Sequence, residues 1–317
     1  MAAALYDPEF GYYNRRDLQR WGREADYRTS SERSELFAAT FARYFAACWD
    51  ELGQPAKWMI VEGGAGDARF AQRVLRTLAE RQPRVFAATR YCLHEISDDS
   101  LSRARERLVE FGDRVSYAWR ECFETGIYFS NELLDAFPVH RVVNEGELYV
   151  GLDSDDEFTW ITGPFSTPLL ADHAARQTLE VNLGIDDWFA SVAAKMKSGY
   201  VITVDYGSEG PVESTLRAFS KHGFVDDVLS APGEYDITSS VDWMRVKRAG
   251  ERLGFEVVEF ASQDKFLLQA GLLEELGRRL ERIENDADKL ALTTDAREMI
   301  LPGGMASSFQ VLVQRRK

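Results

Sequence analysis

The chain has 317 residues, 45% of them hydrophobic and 28% charged, an ordinary globular usage that allows a sizeable core and excludes a disordered chain, a coiled coil or a fibre. Lys and Arg number 38 against 52 Asp and Glu, a formal charge of −14, so the surface repels phosphate backbones, which argues against sequence-independent nucleic-acid binding. No apolar run reaches the ~18–20 residues of a membrane-spanning helix. Cys48, Cys92 and Cys122 form no Cys-x-x-Cys pair, which fits a reducing compartment, and His94, His140, His173 and His222 have no metal-ligand spacing. The first residues, MAAALYDPEFGYY, lack the basic start and long apolar stretch of a secretory signal, and a cytoplasmic location is expected.

Residues 1–28 are irregular and rich in aromatics, with Tyr6, Phe10, Tyr12 and Tyr13 placed either as a lid or as plain packing. Thr29-Ser30-Ser31-Glu32 reads as a capping box opening a helix whose stripe is Phe37, Phe41, Tyr44, Phe45, Cys48 and Trp49. Gly53 and Pro55 end it. Trp58–Val61 is a short continuous apolar run, a strand buried on both faces. A glycine turn leads into a helix carrying Phe70, Ala71, Val74, Leu75 and Leu78, stopped near Pro83. Tyr91–Leu93 is the next strand, followed by a helix with Leu101, Ala104, Leu108 and Phe111 on one face, then strands at Val115–Ala118 and Ile127–Phe129. This alternation predicts right-handed βαβ units and a parallel sheet. Residues 139–165 instead alternate apolar and polar between turn signals and read as an inserted antiparallel meander. A helix through Trp188–Met196, a strand at Gly199–Asp205, a helix over 241–253 and a strand at Phe255–Phe260 resume the core. Residues 266–298 are helical and charged, and Phe309–Val313 closes the chain as a strand.

The chemistry gathers at strand ends. Glu62-Gly63-Gly64-Ala65-Gly66-Asp67-Ala68-Arg69 sits where a strand passes into a helix, the edge where open α/β sheets bind ligands, and Gly64 and Gly66 permit a tight turn. The dinucleotide fingerprint would put a small residue where Arg69 stands. An acid ahead of the glycines suits S-adenosylmethionine (SAM), whose amino-acid end is zwitterionic and whose sulfonium is cationic; the other reading is a structural β-to-α turn. Glu95, 33 residues after Glu62, ends the second strand and is placed to accept hydrogen bonds from ribose hydroxyls. The fourth strand ends in Ser130-Asn131-Glu132-Leu133-Leu134-Asp135-Ala136-Phe137-Pro138. There Asn131 could orient a substrate while Glu132 and Asp135 present two carboxylates, or the acids could belong to a helix start. Trp119 stands either beside the adenine or in the core.

With Ala4-Leu5-Tyr6-Asp7-Pro8, Gly11-Tyr12-Tyr13, Thr29-Ser30, the Asn131–Arg141 segment, Asp205-Tyr206-Gly207, Thr215-Leu216-Arg217, Pro232–Thr238 and Phe266-Leu267-Leu268, the chain resembles the MidA-like SAM-dependent methyltransferases nearly end to end. Mitochondrial members of that family are protein-arginine methyltransferases that assist assembly of respiratory complex I. The resemblance implies a class I, Rossmann-like methyltransferase fold with a mostly parallel sheet, an antiparallel strand insertion and a helical insertion. The element pattern itself reads as one α/β core and not two chained domains, with residues 1–55 as an aromatic segment and helix, and 56–317 as a methyltransferase core with insertions at about 139–168 and 262–305. SAM is the implied cofactor, held by Glu62, Gly64, Gly66, Glu95, Trp119, Thr29 and Ser30. Glu132, Asp135 and Asn131 are the implied catalytic group, and a protein such as a complex I subunit is the implied partner. The chain departs from the family at Ser239-Ser240, where Ala-His is usual, at Ala68 in place of the last glycine, and at Gln310 in place of a lysine. The first departure leaves open a methyltransferase with a non-arginine or small-molecule acceptor. The charged helical block leaves open an assembly factor that keeps the fold without turnover.

Overall fold

The computed structural model describes residues 1–15, 35–144, 146–173, 175–220, 223–301 and 308–317. Helix α1 (Ala2–Tyr6) is followed by α2 (Glu35–Glu51), β1 (Trp58–Gly63), α3 (Arg69–Arg81), α4 (Pro83–Ala88), β2 (Thr89–His94), α5 (Asp98–Arg107), β3 (Val115–Ser116) and β4 (Phe123–Asn131). Next come β5 (His140–Asn144), β6 (Gly146–Leu152), β7 (Phe158–Gly163), β8 (Ala175–Val181), α6 (Gly184–Lys195), β9 (Met196–Ser208), β10 (Val212–Glu213), β11 (Arg217–Ser220), β12 (Gly223–Val225), β13 (Asp236–Thr238) and β14 (Val241–Asp242). The chain ends with α7 (Trp243–Arg252), β15 (Glu256–Ser262), α8 (Gln263–Gln269), α9 (Leu272–Leu280), α10 (Asp286–Ile300) and β16 (Phe309–Arg316).

The chain divides into two compact units. The first takes the described residues from 35 to 132, 191 to 205 and 250 to 317, and the second takes those before 16, from 133 to 190 and from 206 to 249. In the first unit the strands run β15-β16-β9-β4-β1-β2-β3. β1 pairs parallel with β2 and β4, β9 pairs parallel with β4, and β15 pairs antiparallel with β16. The chain order reverses between β1 and β4, which makes their carboxyl ends the binding edge of a doubly wound sheet. Register holds those ends level, with Gly63 opposite His94 on one side and Ser130 on the other.

Central strands of such a sheet are covered on both faces and must be apolar throughout. Ile60, Val61, Tyr91, Cys92, Leu93, Ile127, Tyr128 and Phe129 are all buried. Helices α2 and α3 cover one face, where Phe70 stacks on Phe129 at 4.6 Å and Phe41 lies 5.0 Å from the same ring. Every residue of α2 from Leu36 to Ala42 is buried, more than an amphipathic helix needs. The reason is the helical block α8–α10, whose Phe266, Leu267, Leu272, Ala296 and Met299 belong to the same core. Arg81 of α3 pairs with the buried Glu275 of α9. The charged block is thus a second layer over α2.

The second unit holds a five-stranded sheet in the order β10-β8-β5-β6-β7 and a three-stranded one in the order β12-β11-β13. Val142, Leu170, Leu179 and Val181 form the core of the first, and Leu5 and Tyr12 of the chain's start pack with Ala218 and Ile237 near the second. The meander expected over 139–165 is β5–β6–β7, antiparallel throughout. Two local expectations are corrected. The strand expected through Ala118 stops at Ser116. Pro83, expected to stop a helix, also begins α4, because the ring sets φ for the first helical position and a missing N–H is harmless there.

Candidate functional site

The turn after β1 is left-handed at three of five positions: Gly64 at φ 67°, Gly66 at φ 52° and Ala68 at φ 62°. Glycine meets that demand freely, whereas at Ala68 the Cβ costs about 1 kcal/mol. The turn is pinned from outside. The Gly66 N–H donates to Glu95 Oε2 at 2.9 Å, while Glu95 Oε1 accepts from the N–H groups of Ile96 (2.7 Å) and Ser97 (2.8 Å). A carboxylate holding three backbone donors is fixed in place.

A second brace escaped the sequence reading. The buried Asp67 carboxylate accepts from Arg107 Nη2 at 2.7 Å and lies 3.0 Å from Arg69 Nε, and Arg107 Nε donates to the Asp67 carbonyl at 2.8 Å. Arg107 is the last residue of α5, forty positions on in sequence, and no local spacing links the two.

Glu62 is buried at the end of β1 and accepts from the Tyr91 hydroxyl at 2.8 Å. Burial pushes its carboxyl up to about 8; the Tyr91 hydrogen bond opposes that, and the charges of Glu95 and Asp67 add to it. A cation brought to this corner relieves the cost.

At the β4 tip, the buried Ser130 hydroxyl has no hydrogen-bond partner among the described residues. Asn131 Nδ2 donates to Glu132 Oε1 at 2.9 Å, and the Glu132 N–H donates to the Val204 carbonyl at 2.9 Å. Glu132 is itself left-handed at φ 51°, a strained setting for a long side chain and one that clusters at functional sites. The structure thus gathers Glu62, Gly64, Gly66 and Glu95 about one turn and sets Asn131 and Glu132 at the end of the strand beside it.

Asp135 falls in the second unit, the division lying between Glu132 and Leu133. Its Oδ2 accepts from the Tyr206 hydroxyl at 2.5 Å and its carbonyl from the Ser239 N–H at 2.9 Å. Ser240 N–H donates to Thr215 Oγ1 at 2.9 Å, so the Ser239-Ser240 pair fastens its own loop. The aromatic start is likewise tied within this unit: Tyr6 donates to the Ala136 carbonyl at 2.7 Å and Tyr13 to Asp236 at 2.9 Å. Trp119 is buried, with His94 and Tyr128 at 5.2 and 5.1 Å and the Lys195 ammonium 4.5 Å over its ring. Thr29 and Ser30, with their capping box, lie outside the described residues.

SAM fits this corner on the structure's own terms. The left-handed turn offers a close backbone approach, Ser130 an unanswered hydroxyl, Glu95 a fixed acceptor and Glu62 a buried acid short of a cation. The strand order, the glycine turn after β1 and the acid just past β2 suit a SAM-dependent methyltransferase. The family model described as "Putative S-adenosyl-L-methionine-dependent methyltransferase" matches residues 40–261, well over half the chain, and the chain belongs to that family. SAM is its cofactor.

Among curated relatives, a mitochondrial protein arginine methyltransferase homologue of Drosophila melanogaster is 27% identical over 293 residues, covering 80% of this chain and 66% of its own length. The mitochondrial protein arginine methyltransferase of Bos taurus is 24% identical, over 98% of this chain and 78% of its own length, and that of Rattus norvegicus is matched over 65% of its length. The chain thus spans about two thirds of the fly and rat relatives. A crystal structure of a Burkholderia thailandensis protein bound to S-adenosyl-homocysteine superposes with a TM-score of 0.85 at 27% identity, covering 99% of this chain and 86% of that one. The relatives overturn the expected cytoplasmic location, because all three are named mitochondrial. That expectation had rested on the lack of a signal in the first residues, which is no measure of location.

Proposed function

We propose that the chain transfers the methyl group of SAM to an arginine nitrogen of a partner protein, with a respiratory complex I subunit as the partner the family resemblance implies. The observation that carries the reading is Glu132, a strained, left-handed residue at the strand tip beside the glycine turn, its carboxylate held by the Asn131 amide and its backbone N–H by the Val204 carbonyl. The names of the fly, cow and rat relatives support arginine as the acceptor.

When bound, the cofactor supplies a methyl group already activated by a sulfonium, so the protein's work is positioning, water exclusion and proton handling. Glu95 holds the ribose hydroxyls with lone pairs its backbone donors leave over. Glu62 would face the ammonium of the zwitterionic amino-acid end, which would restore its ionised form. A guanidinium is a weak nucleophile because its lone pairs are delocalised, and a carboxylate grips it through two parallel N–H bonds. Glu132 makes that grip, steers one terminal nitrogen, and accepts at its carboxylate the proton released as the carbon–nitrogen bond forms. Asn131 is a positioning residue, its amide holding Glu132 Oε1.

Glu132→Gln keeps the shape and loses the charge. It is expected to bind S-adenosyl-homocysteine as the wild type does in calorimetry. Transfer of labelled methyl to protein in a mitochondrial lysate is expected to fall by at least about 100-fold, the label running as methylarginine after hydrolysis. Undiminished transfer removes Glu132 from the reaction, and label recovered in small molecules instead of protein favours a different acceptor.

A further inference from the structure

The hairpin β6–β7 of the second unit shows an apolar face to solvent. Antiparallel register sets Leu148 opposite Thr162, Val150 opposite Trp160 and Leu152 opposite Phe158, so these side chains share one face of the sheet. Val150 is 47%, Leu152 58% and Phe158 50% exposed. Single exposed apolar residues are ordinary, but neighbouring ones across a strand pair form a patch that marks an interaction surface. β7 is also the edge strand of its sheet. Edge strands are normally protected by a charged side chain or a proline within them, and Phe-Thr-Trp-Ile-Thr-Gly, residues 158–163, contains neither.

Charge says what such an edge takes. The loop joining β6 to β7 is Asp153-Ser154-Asp155-Asp156-Glu157. Asp153 spends its Oδ1 on the loop's own backbone, accepting from the N–H groups of Asp155 at 2.8 Å and Glu157 at 3.1 Å. Asp155, Asp156 and Glu157 stand exposed at the tip of the apolar face. A cation on that face, Arg141, lies 4.4 Å over the Trp160 ring and 3.5 Å from the buried Glu180, so it is engaged inside the unit. An anionic membrane is repelled by such a tip, and a second copy of a chain with a net charge of −14 is poorly matched to it.

We infer that the β6–β7 hairpin is the docking surface for the protein substrate, taking an extended segment in which apolar residues alternate with arginines. The segment adds to β7 as a further strand, sets its apolar side chains beside Phe158 so as to extend the face that Val150 and Leu152 begin, and brings the arginines at its loop end to the acidic loop. This inference rests on the arginine-methyltransferase reading, since an arginine-bearing chain is the acceptor it supplies.

Two fluorescent peptides test it by anisotropy on the whole chain, one alternating valine with arginine and the other alternating valine with glutamate. The arginine peptide is expected to bind the wild type at least about ten-fold more tightly than the glutamate peptide. Phe158→Lys is expected to weaken it by a similar factor, and the double change Asp155→Asn with Asp156→Asn to weaken it and flatten its salt dependence. S-adenosyl-homocysteine binding, measured on each variant, should stay unchanged and report an intact first unit, and an unchanged circular-dichroism spectrum and melting profile should report an intact second unit. Equal binding of both peptides, or no effect of Phe158→Lys on a folded variant, overturns the inference. So does a concentration-dependent dimer in sedimentation that Phe158→Lys dissolves, which makes a second copy the occupant. Because the readout is binding, it is independent of methyl transfer. Loss of docking with transfer intact condemns the surface, and docking without methylarginine in the lysate assay condemns the acceptor.

Discussion

At Glu62 a carboxyl group is held out of water at the end of a strand, and inside the chain the Tyr91 hydroxyl answers it. One hydrogen bond does not offset the loss of hydration, so the proton stays on until about pH 8, well above the ordinary value of 4.5. The folded chain therefore holds a proton between those values that the unfolded chain releases. Linkage then fixes the sign: the site's contribution is fully present below about pH 4.5 and is lost as pH rises through about 8. Glu62→Gln keeps an acceptor for Tyr91 and removes the titration. Urea unfolding at pH 6 and pH 9 is expected to show the wild type losing roughly a few kcal/mol relative to the glutamine variant at the higher pH. An unchanged gap between the two proteins means that Glu62 is ionised in the free protein.

The glycine turn is an element with a flaw. Three left-handed residues carry the chain from β1 into α3, and the third, Ala68, is buried at the helix start with no side chain to cap it. Ala68→Gly is expected to stabilise the chain by about 0.5–1 kcal/mol, the Cβ strain relieved outweighing the added freedom of the unfolded chain, as read from a denaturation midpoint. Destabilisation instead means the Ala68 methyl is needed where it packs. The turn was legible in the sequence because glycines between an apolar run and an amphipathic helix have few other uses. The same holds for β1, β2 and β4, whose unbroken apolar runs require cover on both faces. Legibility failed where stability comes from partners distant in the chain. Strand β8 carries the buried Glu180, which reads as a surface residue until Arg141 and the Thr215 N–H, 2.7 Å away, are placed around it. The short strands β10 to β13 have no room for a period. In the site, Glu95 and Glu132 stood out as acids at strand ends, but the Asp67–Arg107 brace depends on how α5 folds back and has no signature in spacing.

Over the whole molecule, Glu62, Gly64, Gly66, Glu95, Asn131 and Glu132 all fall in the unit built on the parallel sheet. A ligand that binds that unit only when folded must stabilise it by mass action, whatever the second unit does. At about 100 times its dissociation constant, S-adenosyl-homocysteine contributes ~2.7 kcal/mol, and with ~2–4 °C per kcal/mol for 150–250 folded residues the melting temperature should rise by roughly 5–10 °C. Gly66→Val tests whether the turn is responsible. A β-branched residue at φ 52° is itself strained, so this variant melts lower without ligand and its bare melting point says nothing about binding. The informative quantity is the ligand-induced shift, expected to vanish. A variant that melts lower yet shifts as far as the wild type leaves the turn as a structural joint, with the cofactor held by the strand-end acids alone.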